Sequence, residues 1–428
     1  MRGTDPYVPL HGDSRFRVTH YDLDLDYRPV TNSLSGKGRL SVEVLEDTAV
    51  LELDLVGLGV DKVTVDGRVP RRYRQRDGRV VVTLASVAVD GTRLLLGVQW
   101  SGQPAPQRGP WGEVGWEELT DGVLVAGQPD GAPTWFPCND RPGHKAVFTT
   151  RVTTDSAYTV VANGELVSRR RGGSRTTWTY AQAAPMATYL ATVQLGRYAV
   201  HELAPRQLLV CPPHLLVRAR HDVGRSPQML AVFTELFGPY PFDSYTVVVT
   251  DDDLEIPLEA QGLSVLGANH VDGARRSERL VAHELAHQWF GNSLTAGRWQ
   301  DVWLHEGFAC YAEWLWSERS GGWTADRCAR AAWTRLSLQP QDLLLADPGP
   351  ELMFDDRVYK RGALALHAVR RLVGDDAFFD LLRTWSARHR HGTVTTAGFV
   401  AHCAGAGGPE AADLLSDWLD ALPLPPLR

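Results

Sequence analysis

A histidine pair within RSERLVAHELAHQWFGN restricts the fold more than any other feature: His283 and His287 lie four residues apart and enclose Glu284. The two imidazoles converge on one metal ion if the segment is an α-helix, because residues four apart lie on the same helix face. The pattern therefore predicts a helix over residues 277–290, capped at its first residue and ended by Gly291. Glu284 is then placed to reach a water molecule on that ion.

A catalytic zinc site normally has three protein ligands and one open position, so a third ligand is needed. The candidate is Glu306, within DVWLHEGFACYAEWLW, where Trp303, Phe308 and Leu315 give a helical apolar pattern. A second helix packed antiparallel to the first brings this carboxylate to the ion. A chance His-Glu-x-x-His would not also supply this matched helix. The set suits one Zn²⁺ per chain, although cobalt or manganese could substitute for it.

Composition limits the classes of partner. The formal net charge of −7 gives no general attraction for nucleic acid or an anionic membrane. No apolar stretch approaches the length that spans a bilayer, and the first residues lack the apolar region of a secretory signal. Five cysteines without Cys-x-x-Cys spacing argue against a disulfide framework. We therefore expect a cytoplasmic protein with neither nucleic acid nor membrane as partner.

The pattern of apolar residues changes along the chain. Tyr21, Leu23 and Leu25 alternate with aspartates, and similar period-two runs recur to about residue 198, with an irregular excursion over residues 102–131. Helical periodicity then appears at residues 227–237, 277–290, 302–319, 325–338, 361–373 and 377–388, beside a strand pair at 245–250 and 263–266. The sequence predicts an α+β protein, with an antiparallel β domain over residues 1–201 and a mostly helical domain over residues 202–428.

The segment HELAHQWFGN, the eighteen residues between His287 and Glu306, and WQDVWLHEGFACYAEW closely resemble the gluzincin aminopeptidases. This is the family of aminopeptidase N and the leukotriene hydrolase/aminopeptidase. The resemblance implies a saddle-like β domain before a thermolysin-like catalytic domain, a zinc cofactor, and peptide substrates with a free N-terminus. LLSDWLDALPLPPLR resembles the end of the catalytic domain, so we expect a short form without the helical domain that covers the active site in larger members.

The resemblance also implies catalytic roles. His283, His287 and Glu306 match the zinc ligands, and Glu284 matches the general base that takes a proton from a water activated by zinc. DDRVYKRGALAL resembles the family segment whose tyrosine faces the scissile carbonyl, which makes Tyr359 the candidate oxyanion stabiliser.

Two further positions near Glu306 have family counterparts. Glu313 matches an outer carboxylate that orients a ligand histidine. His305 stands where the family usually has asparagine, and as the neighbour of a ligand it points about 100° away around a helix, so we expect an outer role and not a fourth ligand.

Two residues are candidates for binding the α-amine of a substrate. EIPLEAQGLSVLG aligns with the family's exopeptidase motif and retains Glu259, whose carboxylate pairs well with an ammonium group. The neighbours of Glu259 differ from the family pattern, which puts side-chain selectivity in doubt. Gln128, in GQPDGAPTWFPCNDRPGHKAVF, occupies the place of the family's second amine-binding residue.

Two other functions stay open. Some relatives are inactive scaffold or peptide-binding proteins, and one family member is a zinc hydrolase of an epoxide. Retention of all three ligand residues, Glu284 and Tyr359 argues against a scaffold. The sequence discloses neither the preferred N-terminal residue nor the oligomeric state.

Overall fold

The alternating run around Tyr21, Leu23 and Leu25 forms a strand with these side chains buried, as predicted. Tyr21 packs on Phe148 and Phe136, with ring centroids 4.8 and 5.5 Å away.

The computed structural model describes residues 5–427. In the first half of the chain the strands are β1 (Phe16–Arg28), β2 (Ser33–Val44), β3 (Thr48–Asp54), β4 (Gly59–Val65), β5 (Arg72–Arg76), β6 (Arg79–Ala88), β7 (Arg93–Gly102), β8 (Gln107–Gly109), β9 (Gly112–Leu119), β10 (Gly122–Ala126), β11 (Ala146–Asp155), β12 (Thr159–Ala162), β13 (Glu165–Gly172), β14 (Arg175–Met186) and β15 (Val193–Gly196).

These strands form three sheets. Their orders are β13-β14-β11-β1-β2-β7-β4, β3-β6-β5 and β12-β15-β10-β9-β8. One pair departs from the predicted antiparallel arrangement, because β1 and β11 run parallel with His20 opposite Val147. Parallel neighbours need a long connection between them. Here that connection contains the strands β2 to β10, so β11 joins β1 only after the chain has built most of the other sheets.

The prediction of an irregular excursion over residues 102–131 is wrong. This segment contains β8, β9 and β10, and the last two form an antiparallel hairpin with Gly122 opposite Leu119. The strands are short and their turns contain glycine, so alternation extends over too few residues to be recognised in the sequence. The hairpin leads directly into the loop that carries Gln128.

Helices and two small sheets make up the second half of the chain. Its strands are β16 (Ala199–Ala204), β17 (Gln207–Cys211), β18 (Tyr245–Val249), β19 (Leu258–Ala260), β20 (Leu263–Leu266), β21 (Thr295–Ala296) and β22 (Thr393–Val394). Its α-helices are α1 (Leu216–Val223), α2 (Ser226–Phe237), α3 (Glu278–Ala286), α4 (Trp303–Arg319), α5 (Ala325–Leu336), α6 (Asp356–Val373), α7 (Asp375–Arg388), α8 (Thr396–Gly407) and α9 (Pro409–Asp420). The larger sheet has the order β16-β17-β18-β20-β19, which leaves β19 at an edge. Within residues 5–427 no helix is long and apolar enough to cross a membrane.

All six predicted helices are present, but their ends differ. The helix predicted to begin at residue 361 begins at Asp356, so Tyr359 lies within its first turn and not before it. Periodicity missed α1, α8 and α9. In α8 the reason is clear, since it is rich in alanine and glycine and buries only Phe399 and Cys403, so no wide apolar stripe marks it.

The two halves meet beside the histidine pair. The buried ammonium group of Lys145 donates to the carbonyl oxygens of Asn292 and Ser293, at 2.9 and 2.8 Å, in the loop that follows α3. Burial without a carboxylate partner lowers the pKa of Lys145 to about 7. The division at residue 201 stays a prediction, and that position lies within β16, the first strand of the second-half sheet.

Candidate metal centre

The histidine pair lies at the end of α3 and not in the middle of a longer helix. The helix ends at Ala286, about one turn before the predicted end, and His287 is its C-cap residue. The backbone of His287 keeps helical angles (φ −56°, ψ −23°), so its side chain still follows the helix face of His283. Ser277 is the N-cap residue, as predicted, but its side chain makes no capping hydrogen bond.

Glu306 faces both imidazoles from the first turn of α4. Its Oε2 atom is 3.3 Å from Nε2 of His283 and 3.5 Å from Nε2 of His287. The ligating atoms of the three residues lie within 4.8 Å of one another, and all three side chains are buried. Two imidazole nitrogens and one carboxylate converging in this way match the donor set of a catalytic zinc site.

A close contact between two glycines sets the spacing of α4 and α6. A Cβ atom on Gly307 would lie 2.8 Å from the Cα atom of Gly362, so neither position accommodates a side chain without a shift of the helices. Gly307 follows Glu306, and Gly362 lies three residues after Tyr359. The glycine contact therefore helps to fix the distance between the third candidate ligand and the candidate oxyanion stabiliser.

Hydrogen bonds on the outer side orient both imidazoles. Nδ1 of His283 lies 2.8 Å from Oε1 of Glu313, and Nδ1 of His287 lies 3.0 Å from the carbonyl oxygen of Phe290. With each Nδ1 donating outwards, each Nε2 faces the space beside Glu306, where its lone pair can bind an ion.

Arg279 extends this outer network, and the sequence reasoning missed it. Its Nη1 atom donates to both carboxylate oxygens of Glu313 at 3.0 Å. Arg279 lies four residues before His283, on the same face of α3, so the motif's own spacing was a signal that could have revealed it.

The charges in the site favour a bound cation. Burial lowers the pKa of His283, but Glu306 and Glu313 outweigh burial and raise it to about 9. Burial also lowers the pKa of His287, but the carboxylates Glu306 and Glu259 outweigh burial and raise this pKa to about 10. Burial raises the pKa of Glu306, but the two histidines reverse the shift and hold it well below its usual range. Carboxylates that stabilise positive charge on two buried histidines are also suited to bind a divalent metal ion.

Two unpartnered polar groups lie beside the three candidate ligands. Oε2 of Glu284 is buried and has no hydrogen-bond partner within residues 5–427, and burial raises the pKa of this carboxyl to about 7. The ring of Tyr359 stacks on that of His283, with centroids 6.0 Å apart. Burial, reinforced by the charge of Glu306, raises the pKa of Tyr359, so its hydroxyl keeps its proton and can donate it in a hydrogen bond.

Residues just after the histidine pair position the strand that carries Glu259. The side chain of Gln288 donates to the carbonyl oxygen of Ala260 at 3.2 Å and accepts from the backbone N–H of Gly262 at 2.8 Å. Asn292 donates to the same Ala260 oxygen at 3.0 Å. The motif segment therefore fixes β19 as well as the candidate metal ligands.

Glu259 lies directly beside Glu284, the candidate proton acceptor. Ligating atoms of Glu259, Glu284 and His287 lie within 4.8 Å of one another. Burial raises the pKa of Glu259, and the histidine only partly offsets this. A cationic group entering here would relieve the contact between the two carboxylates.

The Gln128 loop packs against the metal centre through Tyr189. A Cβ atom on Gly127 would lie 2.3 Å from the carbonyl oxygen of Tyr189, which shows how closely the loop approaches. The hydroxyl of Tyr189 donates to the carbonyl oxygen of Gly291, four residues after His287, at 3.3 Å. The side-chain amide nitrogen of Gln128 is buried and lacks a partner within residues 5–427.

His305 bonds to the backbone, away from the three candidate ligands. Its Nε2 atom accepts a hydrogen bond from the backbone N–H of Ala296 at 2.7 Å. Burial lowers the pKa of His305 to about 3, so the imidazole is neutral at physiological pH. Its Nε2 lone pair is occupied by this bond, which agrees with an outer role.

We expect Glu313→Gln to weaken zinc binding by about 10–100-fold, because the amide is a poorer acceptor for Nδ1 of His283. Competition with a fluorescent zinc chelator measures this without reference to activity. Glu318→Gln is the matched control, since Glu318 lies on the same helix but pairs with Arg370 at 3.0 Å. Equal zinc affinity in the two variants would contradict the orienting role of Glu313.

Both halves of the chain match known domains. Residues 17–190 match the Peptidase M1 N-terminal domain and residues 222–418 match the Peptidase family M1 domain. The structure is also similar to the crystal structure of an M1 zinc metallopeptidase from Deinococcus radiodurans, with a TM-score of 0.89, 32% identity, and coverage of 99% of this chain and 98% of that one. The chain belongs to the M1 peptidase family. The predicted gluzincin resemblance and the order of a β-rich domain before a helical catalytic domain are confirmed.

Other relatives of this M1 peptidase bear on its metal cofactor and on its length relative to theirs. The Deinococcus protein has also been solved as a mutant bound to a Tyr-Ser-Ala substrate, at the same identity, coverage and TM-score. A leucyl aminopeptidase of Saccharolobus solfataricus is 24% identical over 438 residues, which cover 96% of this chain and 54% of that protein. The chain spans about half the length of the curated relatives it matches. The predicted Zn²⁺ cofactor is confirmed by the zinc metallopeptidases among its structural relatives.

Proposed function

We propose that this M1 peptidase is a zinc aminopeptidase that removes the N-terminal residue from peptides. The observation that carries the proposal is the position of Glu259, a carboxylate within 4.8 Å of Glu284 and His287. A peptide's α-ammonium group bound there would place the first peptide bond next to the metal. The leucyl aminopeptidase among the relatives and the tripeptide substrate of the Deinococcus mutant support the same substrate class.

His283, His287 and Glu306 would hold the zinc. When bound, zinc supplies Lewis acidity, which polarises a carbonyl group and makes an attacking water more acidic. Glu313 and Arg279 would keep His283 oriented from outside, as their hydrogen bonds indicate.

The remaining residues would bind the substrate and move protons. Glu259 pairs with the ammonium group, and the side-chain amide oxygen of Gln128 accepts a hydrogen bond from it, which together fix the register of the peptide. Glu284 takes a proton from the attacking water and delivers it to the leaving amine. Tyr359 donates a hydrogen bond to the carbonyl oxygen as negative charge develops on it.

The direct test compares a free-amine peptide with its N-acetylated twin, with and without a zinc chelator. Cleavage of the free-amine form alone, abolished by the chelator and restored by zinc, is the expected result. Cleavage of both forms would indicate an endopeptidase. Cleavage of neither, by protein that holds one zinc per chain, would point to the scaffold or to a hydrolase of another bond. The cytoplasmic location inferred from the sequence stays a prediction.

We expect Glu259→Gln to lower kcat/KM for free-amine peptides by about 10–100-fold, because a hydrogen bond to a charged group contributes about 1.5–3 kcal/mol. The readout is the ratio of kcat/KM between free-amine and N-acetylated substrates, which should shrink. Glu255→Gln is the matched control, since Glu255 lies in the same segment with its side chain exposed. If both variants behave like the wild type, Glu259 is not the amine anchor.

A further inference from the structure

A second cleft lies between α4, α5 and the start of α6. Its volume is ≈650 Å³, which is within the range of sites that bind small ligands and peptide segments. Trp314, Trp316 and Trp323 line it, and we call it the tryptophan cleft. The first two indoles are buried, whereas Trp323 is 49% exposed at the rim. An apolar side chain of a ligand could therefore enter from solvent and pack against aromatic rings.

The tryptophan cleft begins one side chain away from the metal centre, on the side of His283. Glu313 lines the cleft and also contacts Nδ1 of His283 at 2.8 Å. Lys360 lines it too, and directly follows Tyr359, whose ring stacks on His283.

The amine site lies on the other side of the metal centre, because Glu259 neighbours Glu284 and His287. A peptide with its ammonium group at Glu259 and its first peptide bond at the metal can extend past His283 towards the tryptophan cleft. An extended residue spans about 3.3–3.6 Å, so only a peptide of several residues would enter it.

The acidic groups of the tryptophan cleft are already engaged by cations. Both oxygens of Glu313 accept from Arg279, and both oxygens of Glu278 accept from Arg225 at 3.1 Å. Asp356 lies between two cationic side chains, 3.5 Å from that of Arg335 and 3.7 Å from that of Lys360. Glu313 and Glu278 therefore have little capacity left for a further cationic group, whereas Asp356 makes only long contacts and its side chain is 57% exposed.

The cationic groups, in contrast, have donors to spare. Arg279 uses only Nη1, and its Nε and Nη2 atoms have no hydrogen-bond partner within the described part of the chain. Arg335 makes a single long contact of 3.5 Å and its side chain is 57% exposed. The indole N–H of Trp316 is buried and also has no partner there. Free donors around an aromatic lining fit a carboxylate attached to an apolar group.

We propose that the tryptophan cleft binds the carboxyl-terminal part of longer peptide substrates, with an apolar side chain against the indoles and a carboxylate at Arg279 and Arg335. This rests on the proposed aminopeptidase function and adds a substrate class to it. The enzyme would favour peptides of several residues that end in an apolar residue with a free carboxylate over dipeptides.

The test uses free-amine substrates that share their first two residues. One is the dipeptide amide, and the others are hexapeptides ending in phenylalanine with a free carboxylate, with a terminal amide, or with a terminal amide and a glutamate in the fifth position. The variants are Trp323→Ala and Arg335→Gln. Arg330→Gln is the matched control, because Arg330 also lies on α5 but pairs with Asp326 at 2.7 Å, outside the cleft lining.

We expect both variants to raise KM about 10-fold for the hexapeptide acid and to leave KM for the dipeptide amide within about twofold. Amidation of the hexapeptide's terminal carboxylate should raise KM for the wild type but should not raise KM further for Arg335→Gln. Recovery of low KM by the glutamate peptide would show that a side-chain carboxylate serves as well as the terminal one. Equal KM for all substrates in the wild type, or equal increases at both lengths in the variants, would overturn the proposal.

A failure of the proposed function gives a different result. If no substrate is cleaved, calorimetric binding of the N-acetylated hexapeptide acid tests the cleft alone, since this ligand does not need Glu259. Binding that Arg335→Gln weakens about 10-fold and that Arg330→Gln leaves unchanged would retain the tryptophan cleft as a carboxylate site. No binding, or binding indifferent to Arg335, would overturn it.

Discussion

Replacing Glu284 by glutamine is expected to lower kcat by about 10²–10⁴-fold while zinc remains bound. The carboxylate is buried beside the histidine pair with one oxygen unpartnered, so it can accept a proton from water there. Glutamine has the same shape but cannot accept that proton at neutral pH. Steady-state hydrolysis of a free-amine peptide measures kcat, and elemental analysis of the same protein measures zinc.

The pH dependence of the wild type supplies a second readout for Glu284. Burial raises the pKa of its carboxyl to about 7, and a bound zinc ion lowers it again by its positive charge. A base must be deprotonated to act. We therefore expect kcat/KM to be highest above this pKa and to fall as the pH drops through it. We expect this acidic limb below pH 7 in the wild type and its absence in Glu284→Gln. Loss of less than about 10-fold in kcat, with the acidic limb retained, would contradict the role of Glu284 as the base.

The convergence of the three candidate ligands could be predicted because the pattern of each helix is local. Helical geometry alone brings His283 and His287 to one face, and the helical pattern around Glu306 supplies a second element with a carboxylate. Even so, the predicted end of α3 was wrong by about one turn, because the C-cap residue His287 keeps helical angles and leaves no mark in the sequence. The geometry of the pair depends on backbone angles and not on formal helix membership.

The contacts that position the site could not be predicted, because they join residues far apart in the chain. Gln288 and Asn292 hold the strand of Glu259, and Lys145 reaches from the β-rich half to the loop after α3. A lysine near the start of a strand would be expected at the surface, and only the assembled fold shows three carbonyl oxygens around it. Periodicity reports burial of apolar faces, whereas these are polar contacts between elements.

In the N-terminal half, too, local patterns could be predicted and contacts between distant residues could not. Long alternating strands such as β1 were predicted, because one face is buried over many residues. The short hairpin of β9 and β10 was missed, although it leads directly into the loop that carries Gln128. The parallel pairing of β1 with β11 was also missed, since strand alternation is the same in parallel and antiparallel neighbours when one face is exposed.

Replacing Tyr359 by phenylalanine is expected to lower kcat by about 10²–10³-fold, the loss typical for one donor to a developing oxyanion. The hydroxyl keeps its proton, because burial raises its pKa, and it has no hydrogen-bond partner among residues 5–427. Phenylalanine keeps the ring that stacks on His283, so the orientation of that imidazole should persist. Steady-state kinetics should show the loss in kcat, with KM changed by less than about threefold.

Tyr240→Phe is the matched control, because it removes a hydroxyl that donates to the carbonyl oxygen of Ser244 at 3.1 Å. It should cost about 1 kcal/mol of stability at most and leave kcat unchanged. If Tyr359→Phe instead raises KM in proportion and spares kcat, the hydroxyl contacts the substrate equally in the ground state and the transition state. Only an interaction that strengthens as charge develops on the carbonyl oxygen accelerates the reaction, so the split between kcat and KM decides whether Tyr359 stabilises the oxyanion or merely binds peptide.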